Sequence, residues 1–229
     1  MWFIGDVHGK VHLYEKILKG LPEGSKSIQI GDMGVGFEGV RLYNEPNSPH
    51  RFIRGNHDSP AACRAHRRYL GDFGYLPEEG IFYLGGAWSI DAQWRTPGLS
   101  WWADEELSPE AFGEAQQLYQ KVKPRIVVTH EAPTKAALEM LYSVPLIMEY
   151  TPHEPCPCDQ SMLPKGEDYK KYKAGIHFAN TRTSQALQFM LDTHAPEHWV
   201  FGHYHRAHSF EIRGCQFTCI PELGVKEIA

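Results

Sequence analysis

The segment WFIGDVHG, residues 2–9, joins a short apolar run to a polar cluster that follows it directly. Trp2–Ile4 form the run, and Asp6 and His8 lie just beyond the glycine that ends it. Short apolar runs that end at a glycine are typical of buried β-strands. The segment therefore predicts a buried strand with metal-binding types of side chain at its carboxyl end.

The same arrangement recurs along the chain and predicts the fold class. Five further apolar runs are predicted as strands: Ser27–Ile30, Arg51–Ile53, Ile81–Leu84, Arg125–Val128 and Trp199–Phe201. Apolar residues repeat at helical spacing between some of them, at Tyr14, Ile17, Leu18 and Leu21 and again at Ala186, Leu187, Met190 and Leu191, and Ser108 with Pro109 is typical of a helix start. Strands that alternate with helices predict an α/β protein.

Polar clusters follow five of the six predicted strands. They are GDVHG (5–9), GD (31–32), GNHD (55–58), TH (129–130) and GHYH (202–205). Because the carboxyl ends of strands in an open α/β sheet meet at one rim, these clusters are expected to form one site. Alternate residues of an extended chain point to the same side, so Asp6 and His8 are expected to reach inward together, as are His203 and His205.

The side chains of these clusters are metal ligands by type: Asp6, His8, Asp32, Asn56, His130, His203 and His205. Seven ligands exceed what one tetrahedral zinc uses, but they divide between two metals if one carboxylate, that of Asp32, bridges. Oxygen and imidazole donors without thiolate favour Mn, with Fe or Zn as the alternatives. The sequence thus predicts two divalent or trivalent transition-metal ions and hydrolysis of a phosphoester.

Length and charge limit the domain organisation and the partners. The chain has 229 residues and a formal net charge of −5, so a single domain over residues 1–229 is expected, with an irregular, proline-rich excursion or lid at about 142–173. The acidic excess argues against stable binding to duplex nucleic acid. A phosphorylated small molecule or a nucleotide is the expected substrate, and the oligomeric state stays open.

The sequence also predicts where the protein works. No apolar window approaches the length of a membrane span, and no secretory signal is visible. The five cysteines are an odd number, as expected for reduced thiols. A cytoplasmic location without membrane attachment is therefore expected.

The blocks GDVHG, GDMG (31–34), GNHD, TH and GHYH resemble, in identity and order, those of the calcineurin-like metallophosphoesterases. The resemblance spans residues 5–205 and implies an αββα sandwich, in which two mixed sheets are flanked by helices. It implies one metal held by Asp6, His8, Asp32 and His205, and a second held by Asp32, Asn56, His130 and His203. It also implies that His57 is a catalytic histidine that binds no metal, oriented by a carboxylate such as Asp58.

One departure from the family pattern concerns the substrate. Members that resemble serine/threonine protein phosphatases carry an Asp-Arg pair shortly after the second Gly-Asp, whereas this chain continues from Asp32 as MGVGF, residues 33–37. The missing arginine argues against protein phosphatase activity. Arg54 and Arg95 are the candidates to bind phosphate from elsewhere, although Arg95 and Asp91 have the spacing of a surface ion pair.

Three hypotheses about function follow. The leading one is a metal-dependent phosphoric ester hydrolase that cleaves phosphomonoesters by attack of a metal-bridging hydroxide. The second keeps this chemistry but acts on a phosphodiester, either a cyclic nucleotide or a nucleic-acid end. The third, more remote, is a metal-binding scaffold that has kept the fold without catalysis.

Overall fold

The computed structural model describes residues 1–143 and 179–229. The strands there are β1 (Trp2–Ile4), β2 (Ser27–Ile30), β3 (His50–Ile53), β4 (Phe73–Leu76), β5 (Ile81–Leu84), β6 (Ile126–Thr129), β7 (His198–Phe201), β8 (His208–Ile212), β9 (Cys215–Cys219) and β10 (Val225–Glu227). The helices are α1 (Val11–Gly20), α2 (Pro60–Arg64), α3 (Pro109–Val122), α4 (Thr134–Ser143) and α5 (Arg182–Thr193), with one 3₁₀ turn at Ala92–Trp94. The excursion predicted at about 142–173 lies outside the described residues, except that 142 and 143 end α4.

The strands form two mixed sheets, as the family resemblance implied. One sheet has four strands in the order β10-β1-β2-β3, and the other has six in the order β4-β5-β6-β7-β9-β8. Parallel pairs make the centre of each sheet, and β10, β4 and β8 pair antiparallel at edges. The predicted fold class is therefore confirmed.

Three buried apolar clusters fill the spaces between the layers. Ile28 and Ile30 of β2 pack with Ile126 and Val128 of β6 between the two sheets. The intervening Val127 packs on the opposite face of the six-stranded sheet, in a cluster with side chains of α3, α4 and α5. A third cluster joins the outer face of the four-stranded sheet to α1. Because successive side chains of a strand alternate between faces, both faces of the central strands are buried.

Burial on both faces explains why the central strands are predicted well from the sequence. All six predicted strands are present, and their ends differ from the prediction by at most one residue. The predicted helical repeats lie in α1 and α5, with Leu21 as the residue that caps α1. Ser108 caps α3 as expected, since its side chain accepts a hydrogen bond from the backbone N–H of Ala111. None of the described helices is both long and apolar enough to span a membrane.

Candidate metal centre

The loops that follow β1, β2, β6 and β7 are joined to one another by hydrogen bonds at one edge of the two sheets. The backbone N–H of His8 donates to the carbonyl of Asp32 at 2.7 Å, and that of Gly202 donates to the carbonyl of His130 at 3.1 Å. A third bond crosses between the sheets, from the N–H of His203 to Oδ1 of Asp6 at 3.3 Å. These four polar clusters therefore meet at one place, as the sequence predicted.

The first set of side chains, here called the Asp6 group, consists of Asp6, His8, Asp32 and His205. One ligand atom from each lies within 4.8 Å of all the others. Nε2 of His205 is 2.9 Å from Oδ2 of Asp6 and also 2.9 Å from Nε2 of His8. The Oδ2 atom of Asp6 is buried. Two buried carboxylates with converging imidazole nitrogens are a donor set that fits a transition-metal ion.

The second set, here called the Asn56 group, consists of Asp32, Asn56, His130 and His203. Nε2 of His130 lies 3.4 Å from Oδ2 of Asp32 and 3.2 Å from Oδ1 of Asn56. The other ring nitrogen of His130 lies 2.9 Å from the carbonyl oxygen of Ile30, where Nδ1–H donation leaves Nε2 of a neutral imidazole free to bind a metal. The ring of His203 is 5.0 Å from that of His130. Both groups thus contain Asp32.

The electrostatics of the site favour positive charge between these side chains. Burial acts to raise the pKa of Asp32, but the imidazoles of His130, His57 and His8 together outweigh it, and the pKa lies well below its ordinary value. Burial acts to lower the pKa of His130, but Asp32, with Asp6 and the carbonyl of Ile30, outweighs it and raises that pKa to about 10. Burial and the nearby His130 hold the pKa of His203 well below its ordinary value. The carboxylates therefore stabilise positive charge at this site. A bound metal ion would supply positive charge there.

The backbone turns sharply at four of the predicted ligands. His8, Asp32, His203 and His205 have φ angles of 46°, 57°, 68° and 52°, in the left-handed region that non-glycine residues rarely adopt. The sequence argument from an extended chain was therefore wrong for the pairs that include His8, His203 and His205. These side chains converge because their loops turn, not because alternate residues of a strand share a face.

Two glycines let these loops approach each other closely. A Cβ atom at Gly31, where φ is 105°, would lie 2.3 Å from Nδ1 of His130. A Cβ atom at Gly55 would lie 2.1 Å from Oδ1 of Asp32. Any larger residue would displace a predicted ligand, since real Cβ contacts are not this short.

His57 lies at the edge of the Asp6 group, beside Arg95. The rings of His57 and His8 are 4.9 Å apart, and Nη2 of Arg95 is in hydrogen-bond contact with Nε2 of His57. Burial lowers the pKa of His57 to about 4, so its imidazole is neutral at neutral pH. Asp91 lies 2.5 Å from the same Arg95 nitrogen, so the ion pair suggested by the spacing is present, and it holds the guanidinium against His57.

Asp58 has a different environment from the one that the resemblance implied. Its two carboxylate oxygens accept the backbone N–H groups of Met33, Gly34, Val35 and Gly55 at 2.8 to 3.1 Å. The side chain is fully buried. Asp58 therefore joins the loop after β2 to the loop after β3, and we correct its expected role as the residue that orients His57.

Arg54 also departs from expectation. It is fully buried, its Nε donates to Asp72 at 2.8 Å, and its Nη1 donates to the carbonyl of Glu105 at 2.5 Å. A guanidinium enclosed in this way cannot reach a substrate phosphate. Of the two arginines suggested by the sequence, only Arg95 lies beside the candidate site.

Sequence reasoning missed two residues next to the Asn56 group. Ser89 accepts a hydrogen bond from Nδ2 of Asn56 at 3.0 Å, and its own hydroxyl donates to Glu105 at 2.5 Å. Burial raises the pKa of Glu105 to about 7, against the opposing effect of the bonds from Ser89. Nothing in the spacing of residues 56, 89 and 105 marks them as neighbours, so only the fold reveals this contact.

A family model described as calcineurin-like phosphoesterase matches residues 1–207. The chain belongs to the calcineurin-like phosphoesterase family. The Asp6 group is the candidate metal-binding cluster of this chain. A search of curated proteins finds no match to the chain.

Two solved structures are among those that match the chain. One is a candidate 5′-nucleotidase from Staphylococcus aureus, with a TM-score of 0.51 and 13% identity over 98% of this chain and 49% of that one. This chain thus spans about half the length of that protein. The other is phosphopantetheinyl hydrolase from Mycobacterium tuberculosis, with a TM-score of 0.46 and 12% identity over 96% of this chain and 89% of that one.

Proposed function

We propose that this phosphoesterase hydrolyses phosphomonoesters with two transition-metal ions, one bound by the Asp6 group and the other by the Asn56 group. The position of Asp32 carries the proposal. Its Oδ2 lies 3.7 Å from Nε2 of His8 and 3.4 Å from Nε2 of His130, so one carboxylate faces both groups. When bound, such metals, of which Mn suits these donors, polarise a phosphoryl oxygen and activate water at neutral pH.

The chain's own residues would bind the phosphate and stabilise the leaving group. Arg95 supplies the positive charge, because its guanidinium lies at the edge of the site, in contact with the ring of His57 and the carbonyl of Asn56. His57 is neutral, so its ring offers one N–H and can donate a hydrogen bond to an oxygen of the ester. Asp91 keeps Arg95 in place by the ion pair described above.

Hydrolysis assays test this proposal and separate it from its alternatives. The metal-free protein, supplied with Mn²⁺, should hydrolyse para-nitrophenyl phosphate at least tenfold faster than bis-para-nitrophenyl phosphate, and chelation should abolish both reactions. Faster cleavage of the diester would favour the phosphodiesterase. If neither ester is hydrolysed with Mn, Fe or Zn, the metal-binding scaffold is the hypothesis that remains.

Variants at the edge of the site test the two assigned roles. His57→Ala should lower kcat about 10²- to 10³-fold, because it removes a donor to the leaving group. Arg95→Ala should lower kcat/KM about 10- to 100-fold, chiefly through KM. Arg64→Ala, which removes a half-exposed arginine bound to Asp72 and Asp104, is the control and should retain full activity. Unchanged kinetics in either site variant would contradict its role.

The cellular context also remains a prediction. We propose a single domain over residues 1–229 that acts in the cytoplasm on a phosphorylated small molecule or a nucleotide. A screen of phosphorylated metabolites and nucleotides tests the substrate class. Cell fractionation tests the location.

A further inference from the structure

A chain of hydrogen bonds runs from a buried carboxylate to Asn56. Oε1 of Glu105 accepts the backbone N–H of Ser89 at 2.7 Å, and Oε2 accepts the hydroxyl of Ser89 at 2.5 Å. The oxygen of that hydroxyl accepts Nδ2 of Asn56 at 3.0 Å. All three side chains are buried, with exposed fractions of 2% for Asn56, 0% for Ser89 and 4% for Glu105. Water therefore does not compete for these bonds.

The direction of these bonds determines how the amide of Asn56 is turned. A serine hydroxyl has one proton, and here it is donated to Glu105. The oxygen of Ser89 therefore presents only lone pairs to Asn56 and bonds to the NH₂ end of its amide. The carbonyl end must then point the other way, where Oδ1 lies 3.2 Å from Nε2 of His130.

We propose that Glu105, acting through Ser89, is a positioning residue that turns the carbonyl oxygen of Asn56 toward the second metal. The inference rests on the proposed function, in which Asn56 is a ligand. An uncharged amide with its NH₂ end at the metal would present donors instead of a lone pair. The orientation of Asn56 thus decides whether it can bind a metal at all.

The segment that carries Glu105 is itself fixed to the loop that carries Asn56. Arg54, two residues before Asn56, donates to the carbonyl of Glu105 and to Asp72, and its own carbonyl accepts the N–H of Gly86. A Cβ atom at Gly86 would lie 2.4 Å from the carbonyl oxygen of Glu105, so the two segments are in close contact. This packing explains why Arg54 is buried: it holds Glu105 in place for Ser89.

Titration of the metal-free protein with Mn²⁺ by calorimetry at pH 8 tests the inference. Ser89→Ala removes the hydroxyl, and Glu105→Gln keeps the shape but lets residue 105 donate as well as accept. Asn56→Ala identifies the binding event that depends on Asn56. Ser89→Ala and Glu105→Gln, called the relay variants below, should each weaken that event about 10- to 100-fold. Both should leave the event at the Asp6 group within about twofold of wild type.

The neighbouring carboxylate provides a matched control. Glu106 bonds to the N–H and hydroxyl of Thr183, both at 2.9 Å, on the side of α5. Glu106→Gln loses the same charge as Glu105→Gln one residue away, and both Mn²⁺ binding events should stay within about twofold of wild type. A loss equal to that in Glu105→Gln would show a general charge effect and overturn the inference.

A double variant separates positioning from a structural role. If both residues act through the orientation of Asn56, their effects should not add. The double variant Ser89→Ala/Glu105→Gln should then bind Mn²⁺ at the Asn56-dependent event no more weakly than the weaker-binding single variant. Additive losses, equal losses at both binding events, or relay variants within twofold of wild type would overturn the inference, as would a wild-type protein that binds one Mn²⁺ only. Thermal unfolding checks that each variant is folded, and if Glu105→Gln is not, Ser89→Ala carries the test.

The inference and the proposed function fail in distinguishable ways. A wild-type protein that shows both binding events but hydrolyses no ester would reject the catalytic proposal and leave the titrations valid. Active wild-type protein with unaffected relay variants would reject only the inference.

Discussion

Asp58 stands in the GNHD block next to His57, and the structure gives it a task in folding. Its carboxylate accepts four backbone N–H groups from the loops after β2 and β3. Hydrogen bonds to a buried charged group are among the stronger ones in proteins. The two loops that carry Asp32 and Asn56 are thereby held together.

Asp58→Asn should therefore destabilise the protein more than it impairs the chemistry. The new NH₂ group would face two backbone donors and leave them without an acceptor, which costs about 2–4 kcal/mol. Urea unfolding measures this loss. Asp104→Asn, at an exposed aspartate paired with Arg64, should change the free energy of unfolding by less than about 1 kcal/mol. If Asp58→Asn keeps full stability but loses activity as His57→Ala does, Asp58 orients the histidine after all.

The sequence predicts the site residues that lie in the blocks directly after strands. It does not predict those that reach the site from distant segments of the chain. The members of the Asp6 group follow strands directly, so their types and positions are visible in the chain. Arg54 and Arg95 are the same residue type, and only their contacts in the fold distinguish Arg54, bound to Asp72 and Glu105, from Arg95 beside His57. Ser89 and Glu105 depend on contacts between distant segments, which no local pattern records.

The ends of the strands are where the elements approach the site most closely. At Gly202, after β7, a Cβ atom would lie 2.4 Å from Oδ1 of Asp6. Gly113, inside α3, has nothing within 4 Å of the same built position. The two glycines therefore make a matched pair, one in tight contact and the other open.

Gly202→Ala should displace Asp6, weaken Mn²⁺ binding at the Asp6 group at least tenfold, and cost about 1–3 kcal/mol of stability through overpacking. Gly113→Ala should raise the free energy of unfolding by about 0.5–1 kcal/mol, because alanine is the better helix former. Calorimetry with Mn²⁺ and urea unfolding measure both effects. Undiminished Mn²⁺ binding in Gly202→Ala would show that Asp6 is not a ligand.

Strands at the edges of the sheets are harder to predict from the sequence than central strands. The central strands are buried on both faces and so appear as continuous apolar runs. In β8 half-buried residues alternate with exposed ones, and all three residues of β10 are exposed, so neither forms such a run. The division into two sheets is also invisible locally, because runs such as Ser27–Ile30 and Arg125–Val128 are alike in pattern yet belong to different sheets. The resemblance, and not the periodicity, supplied that feature.

Across the whole molecule, the predicted ligands come from both sheets. Asp6, Asp32 and Asn56 follow strands of the four-stranded sheet, and His130, His203 and His205 follow strands of the six-stranded sheet. The side chains that join the sheets between these strand ends are apolar, and the polar site lies at their edge. A metal bound there would connect the two sheets in the native state only.

Metal should therefore stabilise the native state measurably. A free metal concentration 100 times the Kd adds about 2.7 kcal/mol, which corresponds to roughly 5–10 °C in Tm for a domain of this size. Thermal unfolding with Mn²⁺ and with a chelator measures the shift. Asp32→Asn, which removes the shared carboxylate, should lose most of it. An equal shift in that variant would mean that the metal binds elsewhere.

The left-handed backbone at His8, Asp32, His203 and His205 has an evolutionary consequence. Each of these conformations costs of order 1 kcal/mol for a residue other than glycine. Mutation of one of those histidines to glycine would relieve this cost and remove a proposed metal ligand at the same time. Over evolutionary time, glycine at these positions would therefore make the metal-free protein more stable and deprive the metal-loaded protein of the stability that the bound ion adds, so the two states place opposite pressures on the same residues.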